Sequence, residues 1–379
     1  MLDQPAQRTS QESLDRDAPP IPDPTAEGTT PPGATTAGTT GADVTRIPAG
    51  RRRLRAVLRG SGRHPRWRRA AVTLVALVAV VTVSSLVFNL VTATPAATPS
   101  GLTFVQTGDL RTRIRSWGTT GSPIVLLHGA AETADTWEPV AERLAVRHRV
   151  YALDLNGWGY TPRVAPFTLD HQTRQVLALL DALGLDRPVL VGHSSGAAPV
   201  AEAALRAPGR LGGIMLLDGD ALDTGAGPPP AARYLLPPPY RTTLLRLALG
   251  VDALVRAVYD RQCGPRCPQL DGAGVDAWRR PLQVEGAEDG LWGMLDAGMP
   301  GLSADRLAQV ARTGVPAAVV FGEHDDVFPS GTPQQTAQRV GAPTPVIIPD
   351  ARHLTMISDP AAVAAAVEEL AGRAPTPAG

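Results

Sequence analysis

Between Ala70 and Val91 the chain reads AAVTLVALVAVVTVSSLVFNLV, 22 residues without a charged side chain. At a rise of about 1.5 Å per residue a helix of this length spans about 33 Å, enough to cross the hydrocarbon core of a bilayer. A helix buried in a soluble core seldom runs this far without polar positions, so the segment predicts a single membrane span. Before it lies RRRLRAVLRGSGRHPRWRR, residues 51–69, with no acidic residue; after it lies the uncharged TATPAATPSG. The positive-inside rule then puts the N-terminus in the cytoplasm and everything beyond the span outside the cytoplasmic membrane. A cleaved signal peptide is the rival reading. It would need an n-region of 69 residues, and ATPA at 93–96 is a poor cleavage site.

Composition narrows the parts on either side. Residues 1–50 are rich in Pro, Thr, Gly, Ala and Gln and poor in large apolar side chains, so they cannot bury a core. Residues 1–69 are therefore expected to be a disordered cytoplasmic tail with an Arg-rich end. Arg supplies every lysine-or-arginine position, and 36 basic residues balance 36 acidic ones. A net charge of zero gives no reason to expect nucleic acid as a partner. The lack of Lys, with abundant Ala, Gly and Pro, reflects a GC-rich, bacterial type of genome rather than function. Cys263 and Cys267 enclose the tripeptide GPR. Four zinc ligands are not on offer there, and in the oxidising space beyond the membrane a disulfide across this tight turn is expected.

From residue 101 short apolar runs alternate with helical patterns. TFVQTG and RTRIRSWG read as two opening strands. PIVLLHG (123–129), HRVYALDL (148–155), RPVLVG, GGIMLLDGD (212–220), VPAAVVFGEHD (315–325) and TPVIIPDARH (344–353) read as further strands, several apolar enough to be covered on both faces. Between them TWEPVAERLAV reads as a helix. A second helix carries Val176, Leu179, Leu180 and Leu183 at i, i+3, i+4 and i+7, and a last one opens with Asp359 as N-cap and Pro360 in its first turn. Strands alternating with helices imply a parallel sheet with helices on both faces. Residues 222–309 break the rhythm with two plausible amphipathic helices, the cysteine pair and no clear strand, and are expected to form a helical cap. In an open parallel sheet the ligand crevice lies at the carboxyl ends of the strands, so such a cap would shape the pocket.

One of those strand ends carries chemistry. Gly192-His193-Ser194-Ser195-Gly196 fits G-x-S-x-G. A serine on a sharp strand-to-helix turn exposes its hydroxyl, the flanking glycines let the turn close, and the next backbone N–H faces the nascent oxyanion. In a Gly-rich chain the motif alone fits an ordinary turn equally well, and its neighbours must decide.

Five segments in order make residues 101–373 resemble the α/β-hydrolase family, in the branch with a helical cap after the sixth strand. LLHGAAETADTW is similar to the oxyanion-loop motif beginning His-Gly. LDLNGWGYT resembles the Asp-x-x-Gly-x-Gly segment, with Asn156 where Pro is common and Thr161 where Ser is common. VGHSSGA resembles the nucleophile elbow, FGEHDDVFP the acid turn after the seventh strand, and IPDARHLTMISDP the terminal histidine loop. The resemblance implies the chain order Ser, acid, His: Ser194 as nucleophile, Asp325 as acid and His353 as base. Asp326, next in the chain, and Asp218, at the end of the sixth strand, are alternative acids. The oxyanion hole would be the backbone N–H groups of Ala130 and Ser195. His128 would order the oxyanion loop, His193 would be structural, Asp154 and Trp158 would shape the sheet edge and pocket rim, and His324 would be a loop residue.

The implied organisation is an α/β fold with a mostly parallel sheet flanked by helices: residues 92–100 as linker, 101–373 as hydrolase domain with the cap at 222–309, and 374–379 as a disordered tail. The implied reaction is acyl transfer from a small-molecule substrate to water, most often at a carboxylic ester, through an acyl-enzyme and without metal or organic cofactor. A serine at the elbow argues against the dehalogenase and epoxide-hydrolase relatives, which use Asp there. A membrane-tethered binding protein without turnover, and an acyltransferase to an acceptor other than water, are the alternatives.

Overall fold

The computed structural model describes residues 65–223 and 237–374. The expectations for residues 1–64, for 224–236 at the start of the insertion and for 375–379 lie outside the described residues. Helix α1, Pro65–Val91, contains the uncharged run. Among the described residues its segment Arg66–Val91 is the one helix long and apolar enough to cross a membrane, with mean hydropathy 2.6 and most of its side chains exposed.

Eight strands follow and form one sheet in the order β1-β2-β4-β3-β5-β6-β7-β8. They are β1 Thr103–Thr107, β2 Leu110–Trp117, β3 Pro123–Leu127, β4 Arg149–Leu153, β5 Val189–His193, β6 Gly213–Leu217, β7 Ala317–Gly322 and β8 Val346–Ile348. β1 and β2 form an antiparallel hairpin, β2 meets β4 antiparallel, and all remaining pairings are parallel. The continuous apolar runs are the central strands: β3, β5, β6 and β7 are buried at every position.

Alternation along these strands divides the core into two layers. Val125, Leu127, Leu190, Ile214, Leu216, Val319 and Phe321 point to one face. They pack against α3 (Leu169–Ala182), α4 (Ala197–Arg206) and α10 (Thr332–Val340). Ile124, Leu126, Val189, Val191, Met215, Leu217 and Val320 point to the other, against α2 (Glu138–Leu144), α11 (Thr355–Ser358) and α12 (Pro360–Arg373). Helix starts follow local chemistry: the Thr168 side chain accepts the His171 N–H at the head of α3, and the Asp359 side chain accepts the Ala362 N–H at the head of α12.

Between β6 and β7 the described residues form five α-helices where two were expected: α5 Pro238–Leu249, α6 Asp252–Cys263, α7 Gly272–Arg279, α8 Ala287–Ala297 and α9 Ala304–Leu307. Short turns at Gly250 and Gly264 break what reads in the sequence as longer amphipathic stretches. The insertion leaves and rejoins the sheet at one place, where Leu222 and Leu302 form a parallel bridge flanked by Asp223 N–H to Leu302 O (2.8 Å) and Leu302 N–H to Ala221 O (2.9 Å). Cys263 and Cys267 are joined as a disulfide, with Cα atoms 5.8 Å apart, at the end of α6.

Candidate active site

β5 ends at His193, and Ser194 adopts φ +50° before a short 3-10 turn leads into α4. A non-glycine residue in this region is strained, and the strain is held by what packs around it. A Cβ at Gly192 would run into the Gly196 carbonyl, and one at Gly196 would lie 2.5 Å from the His128 carbonyl. The two glycines of the motif are thus required by close backbone approach, and the turn delivers the Ser194 hydroxyl to the carboxyl end of the sheet.

Two loops bring their side chains to that hydroxyl. His353, in the loop after β8, accepts the Ser194 Oγ hydrogen at Nε2 over 3.0 Å and donates from Nδ1 to Asp325 Oδ2 over 2.9 Å. Asp325, in the turn after β7, is only 2% exposed at its side chain, and its other oxygen accepts the Val327 N–H at 2.9 Å. The three side chains come from positions 194, 325 and 353 and form one continuous chain of hydrogen bonds.

The alternative acids are occupied elsewhere. Asp326 points to solvent and pairs with Arg261 at 3.1 Å. Asp218 is fully buried, with one oxygen accepting the Gly322 N–H at 2.7 Å and the other accepting the Thr355 hydroxyl. Burial, aided by the nearby Asp325 charge, pushes its carboxyl up to about 8.

The loop after β3 passes directly over Ser194: a Cβ at Gly129 would lie 2.9 Å from Ser194 Cβ. Ala130, next in this loop, and Ser195, next in the elbow, are both half-buried. His128 holds the loop from beneath, accepting the Leu155 N–H at Nε2 (3.0 Å) and donating from Nδ1 to the Gly129 carbonyl (2.6 Å). Burial drives its pKa down, which suits a neutral ring with one donor and one acceptor. Asp154 gathers the neighbouring backbone: its oxygens accept the Ala134 N–H (2.7 Å), the Tyr160 N–H (2.6 Å) and Arg113 Nη1 (3.2 Å).

The profile described as the Alpha/beta hydrolase family matches residues 124–366, from β3 to α12. The chain belongs to the alpha/beta hydrolase family. Within it, the chain is 29% identical to a protein of Mycobacterium phage D29 named as a non-heme haloperoxidase, over 68% of this chain and 90% of that one. It is 27% identical to the pimeloyl-[acyl-carrier protein] methyl ester esterase of Edwardsiella ictaluri, over 67% of this chain and 96% of that one. Among solved structures, a serine hydrolase involved in carbazole degradation superposes with TM-score 0.58 at 20% identity, covering 72% of this chain and 98% of that one, a likeness of fold.

In this alpha/beta hydrolase the partner of His193, Glu132, escaped the sequence reading. His193, expected to be merely structural, donates from Nδ1 to Glu132 at 3.0 Å and from Nε2 to the His353 carbonyl at 2.8 Å. Glu132 also accepts the Gly129 N–H at 3.2 Å. Burial alone would lower the His193 pKa, but the Glu132 carboxylate outweighs it and holds the ring up at about 9. Glu132 is lowered in turn, the His193 charge overcoming its own burial. A buried ion pair therefore links the oxyanion loop to the histidine loop. Its signal was an acidic residue three positions after Gly129, in HGAAETADTW, which also carries Asp135.

The cap braces the histidine loop from outside. At the end of α6 the Arg261 carbonyl accepts Arg352 Nη1 (3.0 Å) and the Gln262 carbonyl accepts the Leu354 N–H (3.3 Å), so both neighbours of His353 are tied to the cap. A cavity of about 300 Å³ opens between the oxyanion loop, at Ala131 and Glu132, and the cap residues Tyr259, Leu270 and Trp278. Trp158 is buried in the core, and His324 is an exposed loop residue. Among the described residues one cluster, Glu323, His324 and Asp350, brings metal-ligating atoms within 4.8 Å of one another; all three are exposed.

Proposed function

We propose that this protein is a membrane-anchored serine hydrolase that cleaves a carboxylic ester or a related acyl bond of a small-molecule substrate through an acyl-enzyme. The observation that carries this reading is the continuous chain Asp325–His353–Ser194, with bonds of 2.9 and 3.0 Å, ending on a serine held at φ +50°.

In the proposed reaction Ser194 Oγ attacks the carbonyl carbon as His353 Nε2 takes its proton. The carbonyl oxygen becomes an oxyanion facing the N–H groups of Ala130 and Ser195, each such donor contributing about 3 kcal/mol. His353, now protonated and steadied by Asp325, donates the proton to the leaving alkoxide. Water then attacks the acyl-enzyme with His353 again as base, releasing the acid and restoring Ser194. The ester-hydrolase reading is also supported by the name of the Edwardsiella relative, a methyl ester esterase. The membrane setting rests on α1, whose preceding Arg run orients it with the hydrolase domain outside the cytoplasmic membrane.

The test is a serine-reactive fluorophosphonate together with a panel of chromogenic esters of graded acyl length. The wild-type chain should label at one site and turn over part of the panel. Ser194→Ala should lose the label and on the order of 10⁴-fold or more in kcat. His353→Ala should cost about as much, and the double variant little more. Labelling and turnover that survive in Ser194→Ala would refute the assignment.

A further inference from the structure

The turn Cys263-Gly264-Pro265-Arg266-Cys267 takes no part in the proposed reaction, yet it lies against the loop that carries His353. That loop runs from Pro349, after β8, to Asp359, at the head of α12, and includes α11. Its inner side is held from the sheet: the His324 N–H donates to the Ala351 carbonyl (2.8 Å), and His193 Nε2 to the His353 carbonyl (2.8 Å). Its outer side is held by the end of α6 and the turn that follows. The Arg261 carbonyl accepts Arg352 Nη1 (3.0 Å), and the Gln262 carbonyl accepts the Leu354 N–H (3.3 Å). Arg266 Nη1 donates to the Pro349 carbonyl (2.8 Å), and its Nη2 to Asp359 Oδ2 (2.7 Å). Contacts at 349, 352, 354 and 359 therefore bracket His353 on both sides along the chain.

The five residues of the turn build this clasp. Carbonyls in the last turn of a helix have no partner within it, so Arg261 and Gln262 offer free acceptors. Gly264 stops α6 at φ +84°, where a Cβ would come within 3.1 Å of Arg352 Cδ. The chain then reverses, with the Cys267 N–H to the Gly264 carbonyl at 3.3 Å and the disulfide closing the ring. Arg266, one residue before the second cysteine, is thereby aimed at the histidine loop. Its side chain is 39% exposed, and such a surface contact contributes little when a free chain must be ordered to make it. The closed ring removes part of that ordering cost. Asp359 is committed twice, because its other oxygen accepts the Ala362 N–H (3.1 Å) and caps α12.

We propose that Arg266 is a positioning residue for His353 and that the Cys263–Cys267 disulfide holds it in place, so that turnover depends on the oxidation state of this turn. This rests on the reading of His353 as the base. The switching step is thiol–disulfide exchange with a dithiol reductant. One thiolate of the reductant attacks the sulfur of Cys267, which is half-buried, and the sulfur of Cys263, which is fully buried, leaves. The second thiol of the reductant then displaces Cys267. Two electrons and two protons pass to the cysteines, which end as thiols, and the reductant leaves as its own disulfide. Arg266 is released from Pro349 and Asp359, and the histidine loop keeps its inner contacts alone. His353 Nε2 then spends less time within reach of Ser194 Oγ, and misplacing a catalytic group by about 1 Å costs on the order of 10²-fold in rate.

The test uses the full chain in detergent micelles with a chromogenic ester that the wild type turns over. Dithiothreitol reduces the protein and is removed by desalting under argon before the assay; oxidised glutathione then restores the bond. Reduction should lower kcat by about 10-fold with KM nearly unchanged, and reoxidation should restore it. Arg266→Ala, left oxidised, should show the same loss, and reducing it should add little, because both changes open one clasp. Arg266→Lys, able to reach one of the two acceptors, should recover part of the rate. Unchanged kcat in reduced wild type or in Arg266→Ala overturns the proposal. So does a change confined to KM, a loss that reoxidation does not reverse, or a full further loss when Arg266→Ala is reduced. His353→Ala is run beside them: if it retains turnover, the reading of His353 as base fails and the proposal falls with it.

Discussion

The Nε2 of His193 donates to the backbone carbonyl of His353 across 2.8 Å, so the residue before the proposed nucleophile holds the loop of the proposed base. Both ring nitrogens of His193 act as donors, to that carbonyl and to Glu132, which requires the imidazolium. The elbow therefore fixes two things at once: the serine by strain, and the histidine through a buried charge.

That charge has a pH signature. His193 is held at about 9 against an ordinary value of 6.5, so its stabilisation is fully present below about pH 6.5 and is lost as pH rises through about 9. The loss is at most about 1.4 kcal/mol per pH unit across that window. Thermal denaturation between pH 6 and 10 should show wild type losing stability on the alkaline side. His193→Gln, less stable at pH 6, should have a flatter profile over the same range. Parallel profiles would mean that His193 carries no charge in the folded protein.

The three candidate acids should separate cleanly. Asp325→Asn, which disrupts the acceptor for His353 Nδ1, should lower kcat by about 10²–10⁴-fold with little change in KM. Asp326→Asn removes only an exposed pair with Arg261, so activity should stay near wild type and stability within about 0.5 kcal/mol. Esterase kinetics on the two variants checks this, and equal losses would return Asp326 to contention.

Asp218→Asn should act on stability instead. The folded carboxyl is raised from 3.8 to about 8, so its contribution is present below pH 3.8 and is lost as pH rises through about 8. An amide keeps an acceptor for the Gly322 N–H and has no charge to lose. The Tm difference, variant minus wild type, should therefore grow from pH 4 to pH 8, while activity at pH 7 survives.

Thiol alkylation tests the Cys263–Cys267 bond. Native protein without reductant should take up no iodoacetamide even after unfolding, and two equivalents after reduction. The closed loop is short, so removing the bond should cost about 2 kcal/mol, the low end of the usual range. The histidine loop leans on the Arg261 and Gln262 carbonyls just before Cys263, so Cys263→Ser should also raise mobility at Arg352 and Leu354, read by hydrogen exchange.

Topology is tested by a reporter fused after Gly379. Alkaline phosphatase, active only in an oxidising compartment, should be active there, and protease added to intact spheroplasts should degrade the domain. A fusion active only as a cytoplasmic reporter would reverse the orientation.

Much of the fold was legible because its signals are local. The buried strands are continuous apolar runs, the elbow is five consecutive residues, and Asp359-Pro360 announces the last helix. What the sequence hid depends on distance along the chain. Glu132 and His193 are 61 positions apart, and neither neighbourhood names the other. The stretch 344–353 reads as one strand, yet only Val346–Ile348 pairs, because Pro349 lacks an N–H and Asp350 turns the chain at φ +55°. The cap resisted because its helices follow no sheet rhythm and are broken at glycines whose effect is geometric. The hydrogen bonds from α1 to α5 join residues 150 or more positions apart.

The Leu222–Leu302 bridge leaves the sheet indifferent to what hangs from it. Some eighty residues depart and return through two adjacent peptide groups, so from the strands' side the insertion is equivalent to a short loop. Selection can lengthen, shorten or resurface that excursion without disturbing the register of β6 and β7 or the distance from Ser194 to Asp325. The neck makes the cap an exchangeable module, and grafting a relative's cap between these two leucines would test whether it sets what the site accepts.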